Sequence, residues 1–257
     1  METIKLLDDK VWDKKELLDN MMSDDFYYGY LSKAALSSSS AKMLIGSPKT
    51  YKYVTQYGSP ESQALRDGWL FHTAILEPEV FDAQVFVEVD SKNSKAYKLA
   101  KEQHGKVFTK KEKKDAERMA DAFYKNETAK NYLLKSQFEV PAIDLVMDMP
   151  FRGKADILGE GRIVDLKSTQ DLASFPYSAK KYSYDMQCYL YCNLFNVEPK
   201  DFTFIAIAKG SLDIGIYHCS EEFYFSGEQK TELAIETYKT FFINGVDIDG
   251  YYIEATL

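Results

Sequence analysis

Cysteine is scarce in this sequence: Cys188, Cys192 and Cys219 are its three thiols in 257 residues. Three thiols supply neither an even disulfide framework nor a four-thiolate cluster, which points to a reducing cytoplasm. Cys188 and Cys192 stand one helical turn apart, a spacing that suits packing of small apolar thiols better than metal ligation. Positive charge is also in deficit, 32 Lys and Arg against 40 Asp and Glu for a net charge of −8. That balance excludes a chain that coats nucleic acid by bulk electrostatics, while leaving room for a local basic surface. No run approaches the roughly 18 apolar residues of a membrane span, and the first residues lack the pattern of a secretory signal. What is present, 45% hydrophobic and 14% aromatic residues, suffices for one sizeable core. Residues 1–257 therefore read as one domain, with 1–36 an extension of unassigned role and 244–257 a tail.

Along the chain, helical spacing begins around Val11 to Met22, ahead of an aromatic cluster at Phe26, Tyr27, Tyr28 and Tyr30. Ser37 to Ser40 offer an N-cap for a short helix ending near Gly46, and Ser47-Pro48 opens the next segment. Ser59-Pro60-Glu61 predicts the start of a helix that stops before Pro78. Leu65, Trp69, His72 and Leu76 would form its buried stripe. A lone histidine there is either a hydrogen-bonded core residue or a ligand. Phe81 to Val89 alternates like a strand. Lys92, Lys95, Lys98, Lys101, Lys106, Lys110, Lys111, Lys113 and Lys114 then form a basic window, either a solvated helical face or a wall that contacts phosphates. Thr109 with Glu112 predicts a capping box for a helix carrying Ala116, Met119 and Phe123 on one face and ending at Asn126. Phe138 to Met147 reads as a strand, Ser178 to Phe195 as a helix, and Phe202 to Ala208 with Leu212 to Cys219 as a strand pair. Ser226 with Gln229 predicts the cap of a last helix to about Ile243. The tail, with Tyr251 and Tyr252, could dock on a neighbouring subunit.

Chemistry concentrates between Phe151 and Thr169. Two apolar runs, Ala155 to Leu158 and Ile163 to Leu166, flank Gly159-Glu160-Gly161 and predict a β-hairpin. Alternation puts Ile163, Asp165 and Lys167 on one face and Val164 and Leu166 on the other. With Asp156 in the first arm, two carboxylates and an ammonium meet at one end of a buried hairpin. Carboxylates about 4 Å apart repel by roughly 4 kcal/mol at an effective dielectric near 20, so the pair calls for a divalent cation or a shared proton. Oxygen donors favour Mg²⁺ or Mn²⁺, and a neighbouring lysine can orient water and stabilise a phosphoryl transition state. An acid two before a lysine is common here, as in Asp8 with Lys10 or Glu198 with Lys200. Only Asp165 and Lys167 combine it with an apolar β-branched run and a partner acid across a turn. The competing reading is an exposed ion pair at a strand end. Gln187 and Tyr191 fall together beside the Met186, Leu190 and Leu194 stripe of the helix, able to order that lysine or to form a plain boundary pair.

These residues resemble a known family. Asp156 followed by Asp165-Leu166-Lys167 resembles the core of the PD-(D/E)XK nuclease superfamily, with Ala155 where the motif's proline stands. Gln187-Cys188-Tyr189-Leu190-Tyr191 is similar to the Gln-x-x-x-Tyr motif of the branch containing the RecB nuclease domain. His72-Thr73-Ala74-Ile75-Leu76-Glu77-Pro78 resembles the His-x-x-x-Leu-Glu-Pro segment of RecE-like exonucleases (exodeoxyribonuclease VIII) of phages and prophages, which share the serine and Ser-Pro pattern. The likeness spans residues 36 to 245. It implies an α/β fold with a central mixed β-sheet flanked by helices, restriction-endonuclease-like. It further implies His72, Asp156, Asp165 and the Leu166 carbonyl around Mg²⁺, with Mn²⁺ as substitute. Lys167 would act on the attacking water, and Glu139, Gln187 and Tyr191 would stand nearby. The activity implied is double-stranded DNA exonuclease, resecting 5′ strands for a single-strand annealing protein from a ring-shaped homo-oligomer in a bacterial or phage-infected cell. A nuclease of the CRISPR-adaptation type would need a four-cysteine iron–sulfur site that this chain cannot supply. A catalytically silent DNA-binding or assembly protein would have lost an acid or the lysine, and none is lost.

Overall fold

The computed structural model describes residues 2–254 and 256. The chain opens with an antiparallel ribbon, β1 (Thr3–Lys5) with β2 (Val11–Asp13), before helix α1 (Lys14–Asn20). The helix expected from Val11 thus starts later, because the Asp13 carboxylate accepts from the N–H groups of Lys15 and Glu16 and caps it there. A π-helical segment, Asp25–Tyr30, leads into α2 (Leu31–Ala34). Ile4, Leu6, Leu17, Met21, Tyr27 and Leu31 form a small core that closes on Ile143 of the main sheet. Ser37 and Ser40 make a reciprocal capping box for α3 (Ser38–Gly46), and Pro48 opens α4 (Pro48–Tyr57).

Helix α5 (Gln63–Leu76) is capped by Ser62, whose hydroxyl accepts from Leu65 N–H at 3.2 Å, three residues beyond the Ser59 expected from sequence. Glu61 is left outside the helix and pairs with Arg66 at 3.0 Å. The helix buries Leu70, Phe71, Ile75 and Leu76, while Leu65 is 59% exposed, so the buried stripe is rotated from the expected one and His72 lies at its edge. Pro78 starts a second short helix, α6 (Pro78–Asp82), which buries Phe81. The strand expected over Phe81 to Val89 therefore shrinks to β3 (Phe86–Val87), because proline at a first helical position favours helix over the alternation that follows it. Next come α7 (Lys95–His104), β4 (Phe108–Thr109) and α8 (Lys110–Lys125). Helix α8 has the expected Thr109–Glu112 capping box and ends at Asn126, which caps α9 (Glu127–Asn131).

The main sheet runs in the order β5 (Gln137–Val146), β6 (Met149–Gly159), β7 (Arg162–Thr169), β8 (Phe202–Ala208), β9 (Ile214–His218). Among the strand pairs described in this sheet, β7 and β8 alone are parallel, in register from Ile163↔Phe202 to Thr169↔Ala208. A parallel pair needs a crossover, and here it carries α10 (Phe175–Lys181) and α11 (Tyr184–Phe195). Sequence periodicity predicts one helix over this stretch. Ser183, in the left-handed region at φ 56°, divides it and re-aims α11. Every residue of β8 is buried, as expected of a strand covered on both faces. Helix α12 (Glu221–Tyr238) starts at the cap Ser220 rather than at Ser226. Ser226 lies inside the helix, where its hydroxyl donates to Asp185 at 2.7 Å. Helices α3, α11 and α12 pack on one face of the sheet, with Phe151, Ala155, Ile163 and Phe204 beneath. Helices α5 and α8 pack on the other, over Ile157, Val164, Leu166 and Ile205. The result is an α/β fold with a central mixed sheet flanked by helices. No described helix is long and apolar enough to cross a membrane.

Candidate active site

The expected hairpin forms, and its irregularity makes the site. Strands β6 and β7 pair from Gly159↔Arg162 to Ile157↔Val164 and part beyond Ile157. In the gap the Asp156 carboxylate accepts from Leu166 N–H at 2.7 Å, a bond that a ladder partner would otherwise make. On the other side of β6, the register with β5 continues from Phe138↔Ile157 to Val140↔Ala155, and Glu139 sits between those pairs with φ 51°. A non-glycine residue in that region is strained, and such strain gathers at functional sites.

Two helices and β7 itself bring the remaining groups to the gap. From α5, His72 places Nδ1 3.3 Å from Asp156 Oδ2 and Nε2 2.8 Å from the Leu166 carbonyl oxygen. Ligand atoms of His72, Glu139 and Asp156 all lie within 4.8 Å of one another. From β7, the Lys167 ammonium pairs with Asp165 Oδ2, on the shared face that alternation predicts. From α11, the Gln187 amide donates to Asp165 Oδ1. Asp165 is thus held by Lys167 and Gln187, one residue before Leu166, whose carbonyl meets His72 of the His72–Glu139–Asp156 trio.

Tyr191 takes a different task from Gln187. Its hydroxyl donates to the Lys154 carbonyl at 3.1 Å and accepts from Lys154 N–H at 3.3 Å, so it fixes β6 just upstream of Asp156. Gly153 allows this approach, since a Cβ there would stand 2.8 Å from Tyr191 Cε1. Sequence reasoning passed over Lys154, although Gly153-Lys154-Ala155-Asp156 puts it two residues before Asp156 on a strand. The basic window is less bare than its composition suggests: Lys92 pairs with Glu112, Lys110 with Glu88, Lys111 with Asp115 and Lys113 with Glu117.

Charge in the cluster is unevenly met. Burial opposes ionisation of His72, but the Asp156 carboxylate outweighs it and raises the imidazole to about 9. Burial likewise pushes against the Asp156 carboxylate, and His72 overcomes it and holds Asp156 below the ordinary range. Glu139 is less well supported: burial first, then repulsion from Asp156, outweigh His72 and Lys154 and raise it to about 7. Asp165 is raised by burial, with Lys167 working against the rise and Asp156 adding to it. The Lys167 ammonium is penalised by burial, yet Asp165 and Asp156 hold it firmly protonated. Asp165 Oδ2 is buried against the Lys167 ammonium. The His72 imidazole, the Glu139 and Asp156 carboxylates and the Leu166 carbonyl fit a divalent cation that takes oxygen and nitrogen donors, while Asp165 is not part of that close trio and is tied to Lys167 and Gln187.

A family model described as "PDDEXK-like domain of unknown function (DUF3799)" matches residues 37–246. A comparison with curated proteins finds no match. Among solved structures, an exonuclease candidate from Eubacterium rectale superposes with a TM-score of 0.67 at 15% identity, covering 91% of this chain and 95% of its own. The crystal structure of SSO0001 gives 0.39 at 13% identity, over 87% and 82% of the two chains. A phage-related exonuclease from Haemophilus somnus 129PT gives 0.36 at 14% identity, over 82% and 96%.

Proposed function

Because this chain belongs to the PDDEXK-like domain family, we propose that it is a divalent-metal-dependent deoxyribonuclease acting on the ends of double-stranded DNA. The observation that carries the reading is the convergence of His72, Glu139, Asp156, Asp165 and Lys167 from four separate elements onto the parting of β6 and β7.

His72, Asp156, Asp165 and the Leu166 carbonyl would hold Mg²⁺ or Mn²⁺, and Glu139, grouped with His72 and Asp156, would contribute a further carboxylate. When bound, such an ion polarises the phosphate and makes water a better nucleophile. The protein's own groups do the rest. Lys167, protonated beside Asp165, acts as a fixed cation: it donates a hydrogen bond to the incoming water and meets the charge that develops on the phosphoryl oxygens. Gln187 holds the Asp165 carboxylate in one orientation, and Tyr191 fixes the strand that carries Asp156. The finer features follow the resemblance to RecE-like enzymes: 5′ to 3′ resection, a ring-shaped homo-oligomer, an annealing partner that receives the 3′ tail, and a bacterial or phage-infected cytoplasm.

The test is cleavage of end-labelled linear and closed-circular DNA with Mg²⁺, Mn²⁺ or excess chelator. Metal-dependent loss of linear DNA with circles spared is expected, and separate 5′ and 3′ labels read the polarity. Undiminished cleavage in chelator would overturn the metal assignment, and equal cleavage of circles would overturn the requirement for an end.

A further inference from the structure

The aromatic cluster near the N-terminus lies outside the family match, which begins at residue 37, yet it reaches the site. Arg152, Lys154 and Asp156 alternate along β6, so all three project from one face of the strand. Arg152 fastens the N-terminal segment to the strand: its guanidinium lies 4.3 Å from the Tyr27 ring centroid and its Nε donates to the Leu31 carbonyl at 3.2 Å. Lys154, one step nearer the acids, lies 4.9 Å from the Tyr27 ring and 5.3 Å from the Tyr28 ring. Tyr28 stands edge-on to Tyr27, the ring centroids 4.9 Å apart, and leaves 60% of its surface open. Through Lys154, two residues before Asp156 on β6, the exposed ring stands beside the acid-bearing part of the strand.

We propose that Tyr28 and Lys154 form a nucleotide-binding wall beside the acids, with the Tyr28 ring stacking on an unpaired base of the bound strand and Lys154 contacting its phosphate. Lys154 is now met by Asp24 at 3.2 Å, and the Asp24 side chain is 76% exposed. Lys154 itself is only 15% exposed, so the exposed Asp24 is the partner free to swing into solvent and leave a phosphate to take its place. Stacking on an aromatic side chain tolerates any base. A base inside a duplex has both faces covered by its neighbours, so Tyr28 can receive one only from a strand that is frayed or single-stranded at its end. The wall thus selects unpaired termini, deepening the nuclease reading and resting on it for the identity of the ligand as DNA.

The experiment uses the full chain with Ca²⁺ and short duplexes whose terminal unpaired nucleotide is 2-aminopurine, a base that loses fluorescence when stacked. Quenching by the native protein and by Tyr28→Phe is expected, with loss of quenching and about tenfold weaker binding for Tyr28→Leu. Lys154→Gln should reduce the slope of log affinity against log salt by about 0.7, one single-strand phosphate contact. Thermal melts establish that the variants fold. Quenching and affinity unchanged in Tyr28→Leu would overturn the wall. Tyr28-dependent quenching by a protein that fails to cleave in Mg²⁺ would uphold the wall and overturn the nuclease reading instead.

Discussion

Helix α5 carries two buried charged clusters, and they could hardly be built more differently. Arg66 and His72 are six residues apart, about 9 Å along the helix. Arg66 belongs to a cluster in which each oxygen of Glu112 is met more than once. Oε1 accepts from Arg66 Nε at 2.9 Å, Lys92 at 2.7 Å and Gln63 at 2.8 Å, while Oε2 accepts from Thr109 N–H at 2.7 Å and its hydroxyl at 3.0 Å. Burial pushes the Glu112 carboxyl up, and Arg66, Lys92 and Gln63 together drive it far below the ordinary range. At the other end of the helix, burial and Asp156 drive Glu139 up, and burial drives Asp165 up in spite of Lys167. Burial of charge by itself does not mark a working site. A fully satisfied cluster fastens α5 to α8, and a cluster that leaves two carboxyls raised marks the candidate site.

The largest effect that tests this contrast is Asp165→Asn, which keeps size and packing while removing a negative charge. Metal-dependent cleavage should fall by on the order of 10³-fold with little change in thermal midpoint. Lys167→Ala should lower turnover by about 10²-fold or more while Mn²⁺ still binds in a calorimetric titration, since a positive charge has left an acidic site. Stability unchanged and activity unchanged in both would return Asp165 and Lys167 to a surface-type ion pair. Glu112→Gln should behave in the opposite way. It takes the buried carboxylate from Arg66 and Lys92, leaving Arg66 only the half-exposed Glu61, and should cost about 3 kcal/mol in urea unfolding, with cleavage per folded molecule retained. A depressed carboxyl contributes stability that is complete above the unfolded value near 4.5 and is lost as pH falls toward the folded one. The gap between native protein and Glu112→Gln should therefore close as pH drops below 4.5, read by unfolding at several pH values. The smallest effect is Ser62→Ala, which removes the cap of α5 and should cost about 1 kcal/mol, with no difference between the two clusters.

Much of this was legible in the sequence because it depends on short spacing. The hairpin, the Asp165 and Lys167 face, the Thr109–Glu112 capping box and the Ser37 cap all involve residues within a few positions of each other, where backbone geometry decides. Competing local signals shifted the cap from Ser59 to Ser62 and from Ser226 to Ser220, because more than one serine could serve and packing chose. The break at Ser183 depends on how the crossover must turn to reach β8, which no local pattern encodes. The same limit applies to the site. Asp156, Asp165 and Lys167 could be brought together by a hairpin, and His72 and Glu139 by resemblance alone. Glu112 looked like a cap residue and is also the centre of a buried charge cluster. Tyr191 looked like a partner of Gln187, yet its hydroxyl meets the Lys154 backbone. Tyr28 and Lys154, separated by more than a hundred positions, gave no shared signal.

That separation has a consequence for how the protein comes into being. His72 meets the Leu166 carbonyl across 94 positions of chain, and Gln187 comes from beyond both. A chain growing from the ribosome makes α5 long before it makes β7, so for much of synthesis the histidine has no acid to face. The proposed ion-holding group does not exist in a nascent or truncated molecule that lacks β7. The proposed nuclease would therefore stay silent until the chain has been made and docked through Gln187.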